Sequence, residues 1–317
     1  MYHFIVNPNS RSGAGQQVWI RLRRELVKRR VSYQFYLTKY VGHAVKLAAK
    51  VSMQGTSDAP VYLIIVGGDG TIHEVLSGIT DFDHVILGFI PTGSGNDFCR
   101  GMHLPNEPLA ALDSILARAH IGTMDVPCIT QPDGRISRFG ISAGMGYDAA
   151  VCQEVSLSTA KKYLNRFGLG RLVYVYVALK QLMFTTPVPM TLYLDGKRKY
   201  SFRKCYFTAI MNQAYEGGGF RFCPAARPDD GILDVIVVNG ISRLKLLVCL
   251  PTAFFGQHVR IRGIHIFRCR HIEINSAVPL TVHHDGEFGG ISGELTVSLE
   301  KKSIKIILPA QQTGNGR

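Results

Sequence analysis

Residues 61–71 read VYLIIVGGDGT, and this stretch decides the fold of the first part of the chain. Its first six residues form an unbroken apolar run, which is typical of a strand buried on both faces. Gly67, Gly68 and Gly70 then permit a sharp turn and a close approach of the backbone to a ligand, because glycine has no Cβ. We therefore predict a strand, a glycine-rich turn and a helix in succession.

The same order recurs at residues 85–98, which read VILGFIPTGSGNDF. The carboxyl ends of parallel strands border the crevice in which open α/β sheets bind ligands. Helix starts in such a place present N–H groups and a dipole that favour phosphate. Thr92, Ser94 and Asn96 add polar side chains, and the loop over residues 7–15 supplies a third wall. The two glycine-rich loops therefore predict a phosphate cradle.

Strands and helices alternate through residues 1–122, a pattern that predicts an α/β domain with a parallel sheet. From residue 123 to 294 the predicted strands follow one another directly, and Asp195-Gly196 is a hairpin signal. We expect this second region to be a β-rich domain with antiparallel strands, in which residues 158–184 form the long helix. Residues 309–317 are predicted to form a flexible tail.

The composition is that of a basic globular protein. Lys and Arg total 36 against 23 acidic residues, giving a net charge of +13, which favours polyanionic partners such as nucleic acid, phosphorylated molecules or an anionic membrane. The seven cysteines are scattered without a C-x-x-C pair, so we expect reduced thiols and a cytoplasmic location. No apolar run reaches the ~18 residues that a membrane-spanning helix needs.

Taken together, the motifs resemble those of the diacylglycerol kinase catalytic family of lipid kinases. They occur in the family's order and cover nearly the whole chain: NPNSRSG (7–13), GGDGT (67–71), PTGSGND (91–97), GISAGMGYD (140–148), DGILDV (230–235) and DGE (285–287). The resemblance is strongest to the soluble bacterial members. It implies an N-terminal α/β domain with a parallel sheet of the NAD-kinase and diacylglycerol-kinase type, followed by an antiparallel β-sandwich domain, with residues 295–308 returning to the first domain.

The resemblance implies ATP-dependent transfer of the γ-phosphoryl group to a lipid hydroxyl, with the nucleotide between the two domains. The preferred acceptor is diacylglycerol, whose product is phosphatidic acid, a step of phospholipid biosynthesis. Such a reaction needs charge neutralisation, an oriented acceptor and a base. The resemblance assigns Asp69 to the organisation of Mg²⁺ and Glu287 to the base, with Asp97 and Asp125 in an acidic network.

Two further sets of positions follow from the resemblance. The implied nucleotide-binding residues are Asn7, Ser10, Thr38, Gly67, Gly68, Thr92, Gly93, Ser94 and Asn96. The implied structural Mg²⁺ site consists of Arg227, Asp230 and Ile232, of which the first and last bind through carbonyl oxygens.

Several of these residues also have purely structural interpretations. Thr71 and Glu74 fit a T-x-x-E capping box, which we favour over a catalytic Glu74. Asp97 fits a helix cap, and Asp230 and Asp285, each followed by glycine, fit turns. His283 and His284 alternate on a strand, so we interpret both histidines as structural.

Other functions stay open beside a lipid kinase. An NAD kinase shares GGDGT, and a non-catalytic lipid or polyanion binder is the alternative from another class. We expect no nucleic-acid partner, because no aromatic–basic array is present. The expected partner is a lipid substrate at an anionic membrane, reached by peripheral association. The basic helix over residues 15–30 is either a membrane contact or a solvated face, and the oligomeric state, a homodimer included, is undetermined.

Overall fold

The computed structural model describes residues 1–118, 120–130, 134, 136–157 and 170–310. The chain divides into two compact units. The N-terminal unit contains Met1–Met124 and the segment from Lys302 onward, and the C-terminal unit contains Asp125–Lys301. In the described ranges, no helix combines the length and the apolar character needed to cross a bilayer.

The N-terminal unit is built on a six-stranded sheet with the order β2-β1-β3-β4-β15-β5. Its strands are β1 Tyr2–Val6, β2 Tyr33–Leu37, β3 Val61–Gly67, β4 Val85–Pro91, β5 His120–Met124 and β15 Ile304–Leu308. Its helices are α1 Ser10–Lys28, α2 His43–Ser52, α3 Asp69–Gly78, α4 Asp97–Gly101 and α5 Pro108–Ala117. All strand pairs are parallel except β15 with β5. The predicted parallel α/β fold is confirmed.

Helix α1 contributes to the core of this unit, because its apolar residues recur every three to four positions. Trp19, Leu22 and Leu26 fall on one side of the helix and are buried against residues of β1 such as Phe4. The rings of Phe4 and Trp19, the single tryptophan, lie 5.4 Å apart between their centroids. The basic residues of α1 lie on its opposite, exposed face.

The C-terminal unit contains one antiparallel sheet, in the order β12-β11-β10-β8-β13-β14-β6-β7, with β9 paired to both β10 and β13. Its strands are β6 Pro127–Thr130, β7 Ile136–Arg138, β8 Ser142–Gly146, β9 Val188–Leu194, β10 Arg198–Met211, β11 Leu233–Asn239, β12 Ile264–Cys269, β13 His271–His284 and β14 Glu287–Leu299. Its described helices are α6 Tyr147–Leu157, α7 Gly170–Phe184 and α8 Arg243–Phe254, followed by a 3₁₀ turn at Gln257–Arg260. The predicted β-rich class is confirmed.

Two apolar clusters cover the two faces of this sheet, as alternation along β11 shows. Val235 and Val237 belong to the cluster on one face, which consists mainly of strand residues. Ile236 and Val238 belong to the cluster on the other face, under helices α6, α7 and α8. The second cluster is important for function, because it surrounds a pocket described below.

Some predicted bounds differ from the structure. The division falls at residue 124 rather than 122, and residues 295–299 belong to β14 because they pair with β6 and β13, so the return starts near Lys302. Helix α8 was not predicted from the sequence, and Pro251 lies within it. Residues 158–169 of the predicted long helix, and 311–317 of the predicted tail, lie outside the described residues.

Candidate active site

Three loops meet at the carboxyl edge of the N-terminal sheet, after the neighbouring strands β1, β3 and β4. The N–H group of Asn7 donates to the carbonyl oxygen of Val66 at 2.9 Å. The N–H group of Thr92 donates to the carbonyl oxygen of Gly67 at 2.8 Å. The sheet ladder therefore continues into the loops and holds all three at one edge, as the sequence predicted.

Side chains of the first loop join the other two loops. The Asn7 amide donates to the Thr71 hydroxyl at 3.1 Å, and the hydroxyl oxygens of Ser10 and Thr92 lie 2.6 Å apart. The Ser10 hydroxyl also donates to the Asn7 carbonyl at 3.0 Å, so Thr92 is the donor to Ser10. This packing depends on Gly15, where a Cβ would lie 2.2 Å from the Ser10 hydroxyl oxygen.

The two glycine-rich loops are in contact through their glycines. A Cβ placed on Gly93 would lie 2.9 Å from the Cα of Gly68 and 3.1 Å from Oδ1 of Asn96. Backbone cannot move away as a flexible side chain can, so a larger residue at position 93 would push the loops apart. Asn96 has a left-handed backbone, with φ of 52°, a conformation that asparagine tolerates better than most residues.

The carboxylate of Asp69 connects the first glycine-rich loop to the helix that follows the second. It accepts hydrogen bonds of 3.3 Å from the N–H groups of both Asp97 and Phe98, at the start of α4. Asp97 is buried and forms an ion pair with Arg100. Burial and the nearby Asp97 carboxylate raise the pKa of Asp69 well above its usual value. Two carboxylates that repel each other in this way form a donor set that suits a hard divalent cation such as Mg²⁺.

The structure thus brings the predicted nucleotide-binding residues to a single edge of the N-terminal unit. Thr38 follows β2 and is buried, and its N–H group donates to the carbonyl of Val6 at 2.9 Å. Ser94 is exposed at the tip of the second loop. The structure places these residues at one edge, and their roles in binding nucleotide stay predictions.

Glu74 has a different structural role from the predicted one. Helix α3 begins at Asp69 with Gly68 as its N-cap residue, so Thr71 lies inside the helix and no capping box forms. The Glu74 carboxylate instead accepts a 3.0 Å hydrogen bond from the N–H group of Ala44, in the first turn of α2. Glu74 therefore caps the neighbouring helix.

In the C-terminal unit, the DGE motif forms a tight hairpin between β13 and β14. Asp285 and Gly286 both have left-handed backbones, with φ of 49° and 79°, and His284 pairs with Glu287. The Asp285 carboxylate accepts hydrogen bonds of 2.8, 2.7 and 3.1 Å from the N–H groups of the three successive residues 140–142. Asp285 therefore anchors the hairpin, and Glu287 is exposed beside it at the start of β14.

A charged cluster surrounds His283, which is fully buried. Its Nε2 atom lies 3.1 Å from Oδ2 of Asp148 and 3.1 Å from Oε1 of Glu216. Burial disfavours the imidazolium, but the carboxylates of Glu216 and Asp148 outweigh that effect and raise the pKa of His283 to about 9. The Cys152 sulfur is also near, and the ligand atoms of Cys152, Glu216 and His283 lie within 4.8 Å of one another. The His283 imidazole therefore lies between two carboxylates that favour its protonated form.

An open apolar pocket adjoins this cluster, between the sheet and helices α6, α7 and α8. Its apolar lining includes Val151, Phe207, Ile236, Leu246, Ala253 and Ile264. Asp148, Cys152 and Glu216 also line it. An apolar pocket with a few converging polar groups is a typical small-molecule site.

An acidic turn precedes β11. The Asp125 carboxylate accepts a 2.7 Å hydrogen bond from the N–H group of Gly231, and Asp230 accepts one of 3.2 Å from Ile232 and forms an ion pair with Arg268. Burial, followed by repulsion from Asp230, raises the pKa of Asp125. The structure thus places Asp125 beside Asp230 in the C-terminal unit.

Arg227, the third residue of the implied Mg²⁺ site, lies in the same turn. Its guanidinium pairs with Asp229, at 3.2 Å from Nε to Oδ1. The carboxylate and carbonyl oxygens of this turn are hard ligands that fit Mg²⁺.

A parallel sheet with glycine-rich loops at its carboxyl edge, followed in the chain by an antiparallel β-rich unit, is the combination that two family models of one class of kinases describe. Residues 1–129 match the family model described as the diacylglycerol kinase catalytic domain. Residues 141–308 match that of the YegS C-terminal NAD kinase β-sandwich-like domain. The chain therefore belongs to the diacylglycerol kinase catalytic-domain family.

Individual relatives agree with this assignment. YtlR of Bacillus subtilis, provisionally named a lipid kinase, is 29% identical over 91% of this chain and 94% of its own length. A diacylglycerol kinase of Mycobacterium tuberculosis is 30% identical over 71% of this chain and 70% of its own length.

Solved structures share the fold. A crystal structure from Bacillus anthracis, provisionally named a diacylglycerol kinase, superposes with a TM-score of 0.75 at 21% identity, covering 97% of this chain and 94% of that one. An NAD kinase from Archaeoglobus fulgidus in complex with ATP gives a TM-score of 0.53 at 14% identity, covering 98% and 94% of the two chains. At these identities the likeness shows the fold alone.

Two pocket residues, Asp148 and Glu216, were not predicted as site residues. Asp148 ends the GISAGMGYD segment, where its acidic side chain after glycines was the available signal. Glu216 precedes three consecutive glycines, 217–219, and nothing in its neighbours indicates that it contacts a histidine 67 positions further along.

We expect stability to depend on pH through His283. Its pKa in the folded protein lies above the ordinary value of 6.5, so its stabilising charge is fully present below pH 6.5 and is lost as pH rises through about 9. The free energy of unfolding should fall by at most about 3 kcal/mol across this range.

Urea unfolding followed by circular dichroism at several pH values measures this effect. The slope with pH should be smaller in His283→Gln and unchanged in His271→Gln, a half-buried histidine of the same strand. Equal slopes in the wild type and His283→Gln would show that His283 does not carry the charge.

Proposed function

We propose that this protein is an ATP-dependent lipid kinase that transfers the γ-phosphoryl group of ATP to the hydroxyl of diacylglycerol, forming phosphatidic acid. The observation that carries the proposal is that the two glycine-rich loops meet at Asp69 in the N-terminal unit. The C-terminal unit contains an apolar pocket with acidic groups. Family membership supplies the reaction class.

The N-terminal unit supplies the features that a nucleotide needs. Glycine loops at strand ends let backbone N–H groups approach the phosphates, and the start of a helix favours their negative charge. Asp69 and Asp97 would hold Mg²⁺, which when bound neutralises charge on the transferred phosphoryl group. Ser10 and Thr92, joined at 2.6 Å, fix the wall of the site.

The charges of the C-terminal pocket favour a neutral lipid. The Asp148 and Glu216 carboxylates outnumber the His283 imidazolium beside them, so the cluster repels anionic groups and accepts hydrogen bonds from a hydroxyl. The remainder of the lining is apolar and suits hydrocarbon. NAD carries a pyrophosphate, which such a pocket disfavours, and this supports a lipid acceptor over NAD.

Glu287 is the residue that we assign as general base. Its carboxylate is exposed, and the Asp285 hydrogen bonds to residues 140–142 fix the hairpin that presents it. A carboxylate can take the proton of an acceptor hydroxyl as the oxygen attacks phosphorus, and a positioned base typically contributes about 10²- to 10⁴-fold.

Transfer of γ-labelled phosphate tests the function. Wild-type protein with Mg²⁺ should label diacylglycerol in mixed micelles and should not label NAD. Asp69→Asn and Glu287→Gln should each lower turnover by about 10²-fold or more. Glu287→Gln should bind ATP as the wild type does, and Glu294→Gln, an exposed residue of the same strand, should keep normal turnover.

Label that enters NAD but no lipid would overturn the proposal in favour of an NAD kinase. Normal turnover in Glu287→Gln would remove Glu287 as the base while leaving the reaction class intact. No transfer to any acceptor by folded wild-type protein would favour the non-catalytic alternative.

We also propose that the acidic turn binds a structural Mg²⁺ through Asp230 and the carbonyl oxygens of Arg227 and Ile232. The repulsion that raises the pKa of Asp125 beside Asp230 supports a cation here. The ion pair of Asp230 with the half-exposed Arg268 is the contact with which Mg²⁺ competes.

Thermal unfolding without nucleotide tests this Mg²⁺ site. Millimolar Mg²⁺ should raise the wild-type midpoint by a few degrees, because a ligand that binds only the folded state stabilises it. Asp230→Asn should abolish the increase, and Asp229→Asn, whose side chain pairs with Arg227 instead, should retain it. An equal increase in Asp230→Asn would exclude this site.

A further inference from the structure

From Leu246 to its end, helix α8 contains no charged residue, although one side of it faces solvent. Leu246, Cys249 and Ala253 are buried and line the pocket. On the other side, Leu244 is 73% exposed and Val248 is 63% exposed. A helix at a water-exposed surface normally carries polar residues on its outer face, so packing among the described residues does not explain the composition of α8.

The exposed side chains of α8 continue onto α7. The Arg243 guanidinium donates to the carbonyl oxygen of Thr185 at 3.2 Å, which joins the start of α8 to the end of α7. Met183 and Phe184, at that end of α7, are 66% and 76% exposed. Leu244, Leu247 and Val248 share one face of α8 by their i, i+3, i+4 spacing. We refer to Met183, Phe184, Leu244, Leu247 and Val248 as the apolar patch.

The surrounding sequence is basic. Residues 235–266 contain no Asp or Glu, and they contain four Lys or Arg residues: Arg243, Lys245, Arg260 and Arg262. Lys245 is held beside Arg262 by a 2.9 Å hydrogen bond from its ammonium group to the Arg262 carbonyl. Apolar side chains on a helix, with Lys and Arg residues and no acidic residue in the same stretch of sequence, are typical of a helix that lies in the interface of an anionic membrane.

We propose that the apolar patch is a membrane-docking face, which inserts into an anionic bilayer while the flanking basic residues contact lipid phosphates. This inference rests on the proposed lipid kinase function. Because α8 forms both the patch and a wall of the pocket, docking places the pocket beside the bilayer that holds its lipid. Helix α1, the basic helix predicted from sequence, is less suitable, since its Trp19, Leu22 and Leu26 are buried in the core.

Co-sedimentation with vesicles tests the docking face, using the full chain without nucleotide. The wild type should bind phosphatidylcholine vesicles containing phosphatidylglycerol more tightly than pure phosphatidylcholine vesicles, and added salt should weaken binding. The double variant Leu244→Glu/Val248→Glu should bind at least about tenfold more weakly. The matched control Met53→Glu, at a 68% exposed position in the N-terminal unit, should bind as the wild type does.

Activity provides a second measurement, because neither substituted residue lines the pocket. The double variant should keep turnover on short-chain diacylglycerol dispersed in detergent and lose it on vesicles, which excludes a folding defect as the cause. Wild-type vesicle binding by the double variant would overturn the docking face. A second result would also overturn it: the wild type is a dimer, the double variant is a monomer, and the two bind vesicles equally. The patch would then be covered by a second copy of the chain.

The two proposals fail separately. If the double variant loses vesicle binding and the wild type labels no lipid, the results support the docking face and contradict the proposed kinase function. Lipid labelling with unchanged vesicle binding in the double variant contradicts the docking face alone.

Discussion

The hydrogen bonds that the Asp69 carboxylate accepts from the N–H groups at the start of α4 are the contact on which the N-terminal site depends. They join the loop after β3 to the helix after β4, while Gly68 and Gly93 bring the two backbones together. The same carboxylate lies near that of Asp97, so the contact that closes the loops also concentrates negative charge. A bound divalent cation would relieve that charge, which couples the architecture of the loops to the chemistry expected of them.

The C-terminal unit uses buried charge in a comparable way. Asp285 binds three successive N–H groups and fixes the hairpin that carries Glu287, and His283 in the preceding strand balances Asp148 and Glu216 at the pocket. Isolated buried charges are costly, so each of these groups has a partner of opposite charge or several donors. The polar end of the apolar pocket is therefore held in place by the same strand that leads to the proposed base.

Local patterns predicted most of the fold. Buried parallel strands and glycine-rich turns depend on neighbouring residues, and the three-loop edge followed from them. The sequence could not predict that Glu74 caps α2, or that Glu216 meets His283, because these pairs are separated by 30 and 67 positions and form only when the units fold. Helix α8 was not predicted either: Pro251 lies within it, and a proline inside a helix removes a backbone hydrogen-bond donor.

Titration of Mg²⁺·ATP into glycine variants tests the central claim most directly. We predict that Gly93→Ala binds at least about tenfold more weakly than the wild type and that Gly68→Ala loses less, since the new Cβ meets backbone at 2.9 Å in the first and 3.2 Å in the second. Fluorescence of Trp19, the single tryptophan, reports whether the N-terminal unit stays folded. Wild-type affinity in a folded Gly93→Ala protein would contradict the claim that the packed glycine loops hold the nucleotide.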